Sequence, residues 1–223
     1  IPWREYIDIA NKALDRMRKE FPQPGFRGGF GPVADGVHVP KGEFFSNPNG
    51  HDSEMPLMIC TTFHEWSATR ANPQLEAIDL NGVIEQLKPR FGDKTAEIVN
   101  AYNSNFPGKK PAEIMALVAS NRQGAVATGN AKSKQKAPVY MAWFGWEPNL
   151  YNGRMRAFHC IDICFWFDNT DRMYTHTGGG KRPKMLSDKM SASLLAFMKT
   201  GNPNTGTLPN WPKFTPEKGE TMV

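Results

Sequence analysis

Two ionisable side chains close apolar stretches at points where acyl-transfer chemistry could be assembled. Glu65 sits in Phe63-His64-Glu65-Trp66, directly after Met55-Pro56-Leu57-Met58-Ile59-Cys60-Thr61-Thr62. His159 interrupts the apolar and aromatic run from Gly153 to Phe167. A carboxylate and an imidazole brought together form the orienting half of a catalytic triad. The carboxylate accepts from one ring nitrogen and fixes the tautomer, which leaves the other nitrogen free to take a hydroxyl proton and return it to a leaving group. On pattern alone each residue also has a plainer reading. A histidine in an aromatic run packs as a satisfied core residue, and a glutamate after a strand commonly serves as a helix N-terminal charge. Asp162, three residues after His159, either orients such a network from behind or satisfies a local backbone group.

Other chemistries lack their parts. His64-Glu65-Trp66-Ser67-Ala68 begins like a metalloprotease helix but carries alanine where the second zinc ligand is required. Gly178-Gly179-Gly180-Lys181 lacks the spacing and the Ser or Thr of a phosphate-binding loop, and no Gly-x-Ser-x-Gly occurs, so no nucleophile elbow can be named. Cys60, Cys160 and Cys164 are too few for a zinc site and each stands in apolar surroundings, where free cysteine behaves as a small core residue. No metal site and no cofactor is expected.

The elements that must position Glu65 and His159 alternate in type. Trp3 to Phe21 places Ile7, Ala10, Leu14 and Met17 at helical spacing before Pro22 and Pro24. A turn-rich stretch from Gly25 to Gly31 then leads to Asp35-Gly36, which between short apolar pairs predicts a hairpin with His38 facing solvent. Met55 to Thr62 has the continuous apolar character of a strand buried on both faces of a covered parallel sheet, and Pro138 to Phe144 repeats it. Between them, Gln74 to about Val126 is helical in pattern, divided at Pro89, at Gly92-Asp93 and across Pro107 to Pro111. A turn from Glu147 to Gly153 carries the second strand towards His159. A last helix starts at a Ser187 cap, shows Met190, Leu194, Phe197 and Met198 on one face, and closes at Gly201-Asn202-Pro203. The order strand, helices, strand, helix is α/β, and Glu65 and His159 both fall beyond the C-terminal ends of strands, the edge where open α/β sheets bind ligands.

With 223 residues, 39% hydrophobic and 22% charged, the chain has the composition of a globular protein and contains no apolar run long enough to span a membrane. The net charge is +5, with basic clusters at Lys132, Lys134, Lys136 and at Lys181, Arg182, Lys184. Neither cluster interleaves aromatics, so both are expected as solvated loops and no nucleic-acid partner is expected. The start, Ile1-Pro2-Trp3, shows neither an initiating methionine nor a signal-peptide pattern.

In succession, Gly31-Pro32-Val33-Ala34-Asp35-Gly36, Met55 to Thr62 ending in Glu65, Ala137-Pro138-Val139-Tyr140, Arg154 to Phe167 with its His-x-x-Asp core, Phe197 to Asn204 and Asn210-Trp211-Pro212 resemble the C-terminal part of a type B carboxylesterase, the family of the cholinesterases. The order of these blocks, over essentially the whole chain, is more specific than any one of them. The resemblance implies the C-terminal portion of an α/β-hydrolase fold, a mostly parallel sheet covered by helices and incomplete on its own, with residues 1–223 one segment of a single domain. It implies a Ser-Glu-His triad with Glu65 as acid and His159 as base. The serine and the oxyanion loop would come from an N-terminal segment of the same hydrolase domain. That segment is the expected partner, a small-molecule ester is the expected substrate, and a secreted or periplasmic setting fits the family. Trp66 departs from the small residue that many members carry after the acid, so Phe63, Trp66, Trp143 and Phe158 become candidates to line an acyl or alcohol pocket. A non-catalytic adhesion or scaffold relative is the alternative.

Overall fold

The computed structural model describes residues 1–22, 34–39, 41, 45, 47, 50 and 52–223. These belong to two compact units, Ile1–Glu43 and Phe44–Val223. The turn-rich stretch 25–31, together with Pro32, Val33 and Pro40 of the expected hairpin, lies outside the described residues.

In the first unit the amphipathic segment forms helix α1, Trp3–Glu20, with Ala10 buried and the pairs Arg16–Glu20 and Asp15–Arg18 on its surface. Around Asp35-Gly36 no strand is found among the described residues, and the rest of the expected hairpin lies outside them. The Asp35 carboxylate accepts from the backbone N–H groups of Val37, His38 and Val39 at 2.8–3.0 Å, so the side chain captures amides that a ladder would have used. His38 faces solvent, but so does Val37, so its exposure does not come from alternation along a strand.

The second unit holds β1 (Leu57–Thr62), α2 (Leu80–Phe91), α3 (Thr95–Asn105), α4 (Pro111–Ala119), α5 (Arg122–Lys132), β2 (Val139–Phe144), α6 (Ile163–Trp166), α7 (Tyr174–Thr177) and α8 (Lys181–Thr200). β1 and β2 pair in parallel with Leu57 opposite Val139 and Thr62 opposite Phe144, so both strands end at the same edge. Along β2 the side chains alternate between layers. Val139 and Met141 pack with Ala125 of α5 and with Phe214, while Tyr140 and Ala142 pack with Trp211 and Phe197 of α8. Helices therefore cover both faces, the arrangement that a parallel sheet demands. The outer edge of β2 is closed by the chain's last residues: Met222 N–H donates to Met141 O and Trp143 N–H to Met222 O. β1 pairs only with β2 among the described residues and is half-buried over most of its length, which corrects the expectation of burial on both faces. α2, α3 and α4 form a separate apolar cluster around Val83, Val99, Ile114 and Leu117, against which Phe63 and Trp143 pack.

Several local expectations give way to tertiary contacts. Pro89 lies inside α2, where the cost of its missing N–H is confined to the last turn; the helix stops only at Gly92, with φ +58°. Lys132 is fully buried rather than solvated, its ammonium donating to Asp52 O at 2.6 Å and to Gln135 Oε1 at 2.7 Å. Lys181, Arg182 and Lys184 open α8 instead of forming a loop, with Pro183 in the first turn where its lack of an N–H is harmless. Ser187 is consequently not a cap but a buried mid-helix residue, bonded to Phe165 O and Asp168 Oδ1. Gly201 does close α8, at φ +74°. A Cβ there would come within 2.6 Å of Pro56, so only glycine lets the helix end against the start of β1.

Candidate active site

The loop leaving β1 presents Glu65, and the irregular loop that follows β2 presents His159. Thr62 N–H donates to Glu65 Oε1 at 3.0 Å, which turns the carboxylate back over the strand end. Its other oxygen, Oε2, stands 2.7 Å from His159 Nδ1, and His159 N–H donates to Glu65 O at 3.2 Å. The two residues are thus joined twice, through side chain and backbone. The carboxylate is enclosed, 13% exposed, whereas the imidazole is 48% exposed. An ionised carboxylate can only accept, so in that pairing the proton lies on Nδ1, and a neutral ring then keeps its free lone pair on Nε2. No hydrogen bond reaches Nε2 among the described residues. Trp66 stacks on the His159 ring with centroids 4.5 Å apart and planes inclined by 27°.

The histidine loop is held in uncommon backbone conformations. Tyr151, Asn152, Arg156 and Cys160 all have φ between +51° and +67° without being glycine. Such geometry persists where surroundings over-determine it, and Arg156 supplies much of that constraint. Its guanidinium is buried and reaches Glu76 at 2.8 Å, Thr69 Oγ1 at 2.6 Å and Arg154 O at 3.2 Å. Burial alone would raise the Glu76 carboxyl, but the Thr69 hydroxyl and the Arg156 guanidinium outweigh it and hold that group below its ordinary range. A second anchor is His64, fully buried. Its N–H donates to Ala157 O at 3.1 Å, and its Nδ1 accepts from Ala157 N–H at 3.3 Å. Burial, then the positive charges of Arg156 and Lys109, lower the His64 pKa to about 3, so the ring is neutral. Arg156 and His64 carried no separable sequence signal: one is an arginine within an apolar run, the other a neighbour of the more obvious Glu65.

Asp162 does not reach His159. Its carboxylate accepts from Trp166 Nε1 at 3.2 Å, and burial pushes its pKa up while the Cys60 thiol and the Trp166 indole pull it down. Cys160 is exposed rather than in the core, because its left-handed backbone turns it outward; Cys164 is buried, and all three cysteines are free. Desolvation of its sulfur and the charges of Asp162 and Glu65 raise the Cys160 pKa, which disfavours a thiolate next to His159. Phe63 and Trp143 line an apolar cavity of about 640 Å³ together with Trp146, Leu186 and Trp211. Trp66 and Phe158 do not line it: Trp66 is committed to His159, and Phe158 packs beside His176 and the Phe144–Phe165 cluster.

The family model described as the carboxylesterase family matches residues 8–223. The chain is similar to a para-nitrobenzyl esterase of Bacillus subtilis, 29% identical over 95% of this chain and 42% of the relative. A phenmedipham hydrolase of Pseudarthrobacter oxydans is 28% identical over 87% of this chain and 40% of its own length. The chain thus spans about two-fifths of the curated relatives it matches. Among solved structures, an esterase from Clostridium hathewayi aligns over the whole chain and 43% of its own, with a TM-score of 0.72 at 24% identity. A carboxylesterase of Geobacillus stearothermophilus aligns over 92% of this chain and 46% of its own, with a TM-score of 0.59 at 23% identity. The fold these likenesses share with the chain is that of the α/β-hydrolases, of which the parallel pair and its helices are a part.

Proposed function

The chain belongs to the carboxylesterase family, and from that premise we propose that Glu65 and His159 are the acid and the base of a serine esterase whose nucleophile lies outside these 223 residues. The observation that carries the reading is the 2.7 Å contact between Glu65 Oε2 and His159 Nδ1, with no bond to Nε2 among the described residues on a half-exposed ring. A hydroxyl brought to Nε2 would complete a triad. Residues 1–223 then form one part of a single hydrolase domain, and a preceding segment supplies the serine and the oxyanion donors. The edge of β1 that pairs with no strand among the described residues is the place where such a segment would continue the sheet.

In this mechanism the serine oxygen attacks the ester carbonyl carbon while His159 Nε2 takes the hydroxyl proton. Glu65 stabilises the resulting imidazolium through Nδ1–H. The tetrahedral oxyanion collapses, the bond to the alcohol oxygen breaks, and His159 returns the proton to that oxygen. Water attacks the acyl-enzyme by the same route and releases the acid. A small-molecule carboxylic ester is the substrate class.

The test uses the assembled enzyme that contains the nucleophile. His159→Ala should lower kcat for a chromogenic ester on the order of 10⁴-fold or more, and should suppress labelling of the serine by a fluorophosphonate probe. Near-native turnover by that variant would remove His159 from the mechanism. Absence of both turnover and labelling in the folded native assembly would favour a non-catalytic scaffold of the same fold.

A further inference from the structure

His64 is the most completely enclosed histidine among the described residues, yet its Nε2 has no hydrogen-bond partner there. One ring nitrogen of His64 and one carboxylate oxygen each of Glu113 and Glu147 fall within 4.8 Å of one another, a spacing that suits a metal ion. Two features argue against that occupant. The Lys109 ammonium already bridges both carboxylates, at 3.0 Å to Glu113 and 2.7 Å to Glu147. Nδ1 accepts from Ala157 N–H and must therefore present a lone pair, so in the neutral ring the proton sits on Nε2 and blocks ligation there. The side chain is built around Nδ1, not around Nε2.

Nδ1 faces the stretch that carries His159. Ala157, two residues before His159, is fully buried and gripped on both sides by His64, its carbonyl by the His64 N–H and its N–H by Nδ1. The next residue of the first loop, Glu65, takes the His159 N–H on its own carbonyl. Consecutive residues of one loop therefore hold alternate residues of the other, which fixes the register between them. Flanking this stretch are the left-handed residues Arg156 and Cys160. The Nδ1 contact adds to the two Glu65 contacts on His159 a hold on the backbone just before it.

We propose that His64 is a positioning residue for His159, acting as a neutral acceptor that locks the base-bearing loop onto the acid-bearing loop. The inference rests on the triad reading for its catalytic consequence but on geometry alone for the clamp. It requires an acceptor at the Nδ1 place. Asparagine supplies one there, glutamine reaches to the Nε2 place instead, and leucine fills volume without accepting.

The experiment compares His64→Asn, His64→Gln and His64→Leu in the assembled enzyme, each checked for native-like melting. His64→Leu and His64→Gln should lower kcat roughly 10–100-fold with KM within about twofold, the signature of a misplaced group rather than of lost binding. His64→Asn should stay within about threefold of native. Amide hydrogen exchange at Ala157 and His159 should accelerate in the Leu and Gln variants and not in the Asn variant. Equal impairment of all three variants, or native kcat and exchange in His64→Leu, would overturn the proposal. If His64→Leu does not fold, the Asn and Gln variants carry the same contrast. If the native assembly has no ester turnover, the triad reading fails by itself, and the exchange data still decide the clamp.

Discussion

The loops that leave the two strands each bring a histidine to the same edge of the sheet, and the two are held in opposite ways. His159 binds a carboxylate through Nδ1 and leaves Nε2 bare on a half-exposed ring. His64 binds a backbone N–H through Nδ1 and buries Nε2 completely. A carboxylate partner favours the imidazolium and so equips the ring to accept a proton at Nε2. An amide partner needs the Nδ1 lone pair and so opposes protonation. The chemistry open to each histidine is set by its burial and by the group facing Nδ1 rather than by its place in the sequence, since His64 adjoins the acid itself.

The strongest way to break this contrast is to take the charge from Glu65. Glu65→Gln keeps an oxygen near His159 but also offers an NH₂ to Nδ1, which would move the ring proton to Nε2, the tautomer of His64. In the assembled enzyme kcat should fall on the order of 10³–10⁴-fold at neutral pH, as when a triad carboxylate is made an amide. Measured kcat within a factor of ten of native would mean that Glu65 does not set the tautomer of His159.

A second test reads the contrast through stability. His64 is folded as a neutral ring with a pKa of about 3, against an ordinary value of 6.5. Below pH 6.5 the unfolded chain takes up a proton that the folded chain refuses. The contribution is therefore fully present above pH 6.5 and is lost as the pH falls towards 3. Each pH unit in that interval costs up to about 1.4 kcal/mol. Below about 4.5 the carboxyls of Glu76 and Glu113, both depressed in the fold, add losses of the same sign. Between 6.5 and 4.5 those two carboxyls are silent, while Asp162, whose carboxyl burial raises, acts with the opposite sign, so the His64 contribution is read as the difference between native and variant slopes. Denaturation of His64→Asn should show a shallower loss of stability on acidification there, and identical slopes for variant and native protein would place the His64 ring in contact with water.

How much of this was legible in the sequence depends on the range of the contacts. The strands, the last turn of α8 and the pairing of Glu65 with His159 at one sheet edge follow from apolar runs, from Gly201-Asn202-Pro203 and from the positions of strand ends, all of which are local signals or consequences of topology. Arg156 and His64 are anchored by residues 80 and 93 positions away, Glu76 and Ala157 respectively, and neither carries a local mark of it. Lys132 failed as a solvated lysine for the same reason, since the carbonyl that accepts from it belongs to Asp52. Ser187 failed as a cap because its hydroxyl is spent on Phe165 and Asp168, so the helix begins two turns earlier. Local pattern put Glu65 and His159 at strand ends, the ordered blocks of the family resemblance singled them out, and tertiary contact supplies what holds them still.

The smallest expected effect separates two roles for Trp66. Its sequence position, next to the acid, suggested a pocket wall; its ring instead lies face to face with that of His159, and its own outer surface is 63% exposed. A wall residue acts on substrate binding, whereas a stacked residue acts on the ring it covers. Stacking of this kind contributes about 0.5–1.5 kcal/mol beyond area burial, so Trp66→Ala should lower kcat roughly two- to twelvefold while KM changes little. Trp66→Phe keeps a ring over the imidazole and should recover most of the loss. A variant series that shifts KM or ester preference at constant kcat would return Trp66 to the pocket and leave His159 held only by the contacts of its own loop and of Glu65. That outcome would also sharpen the contrast between the two histidines, because it would leave His64, gripped through Ala157, as the more tightly fixed of the two rings.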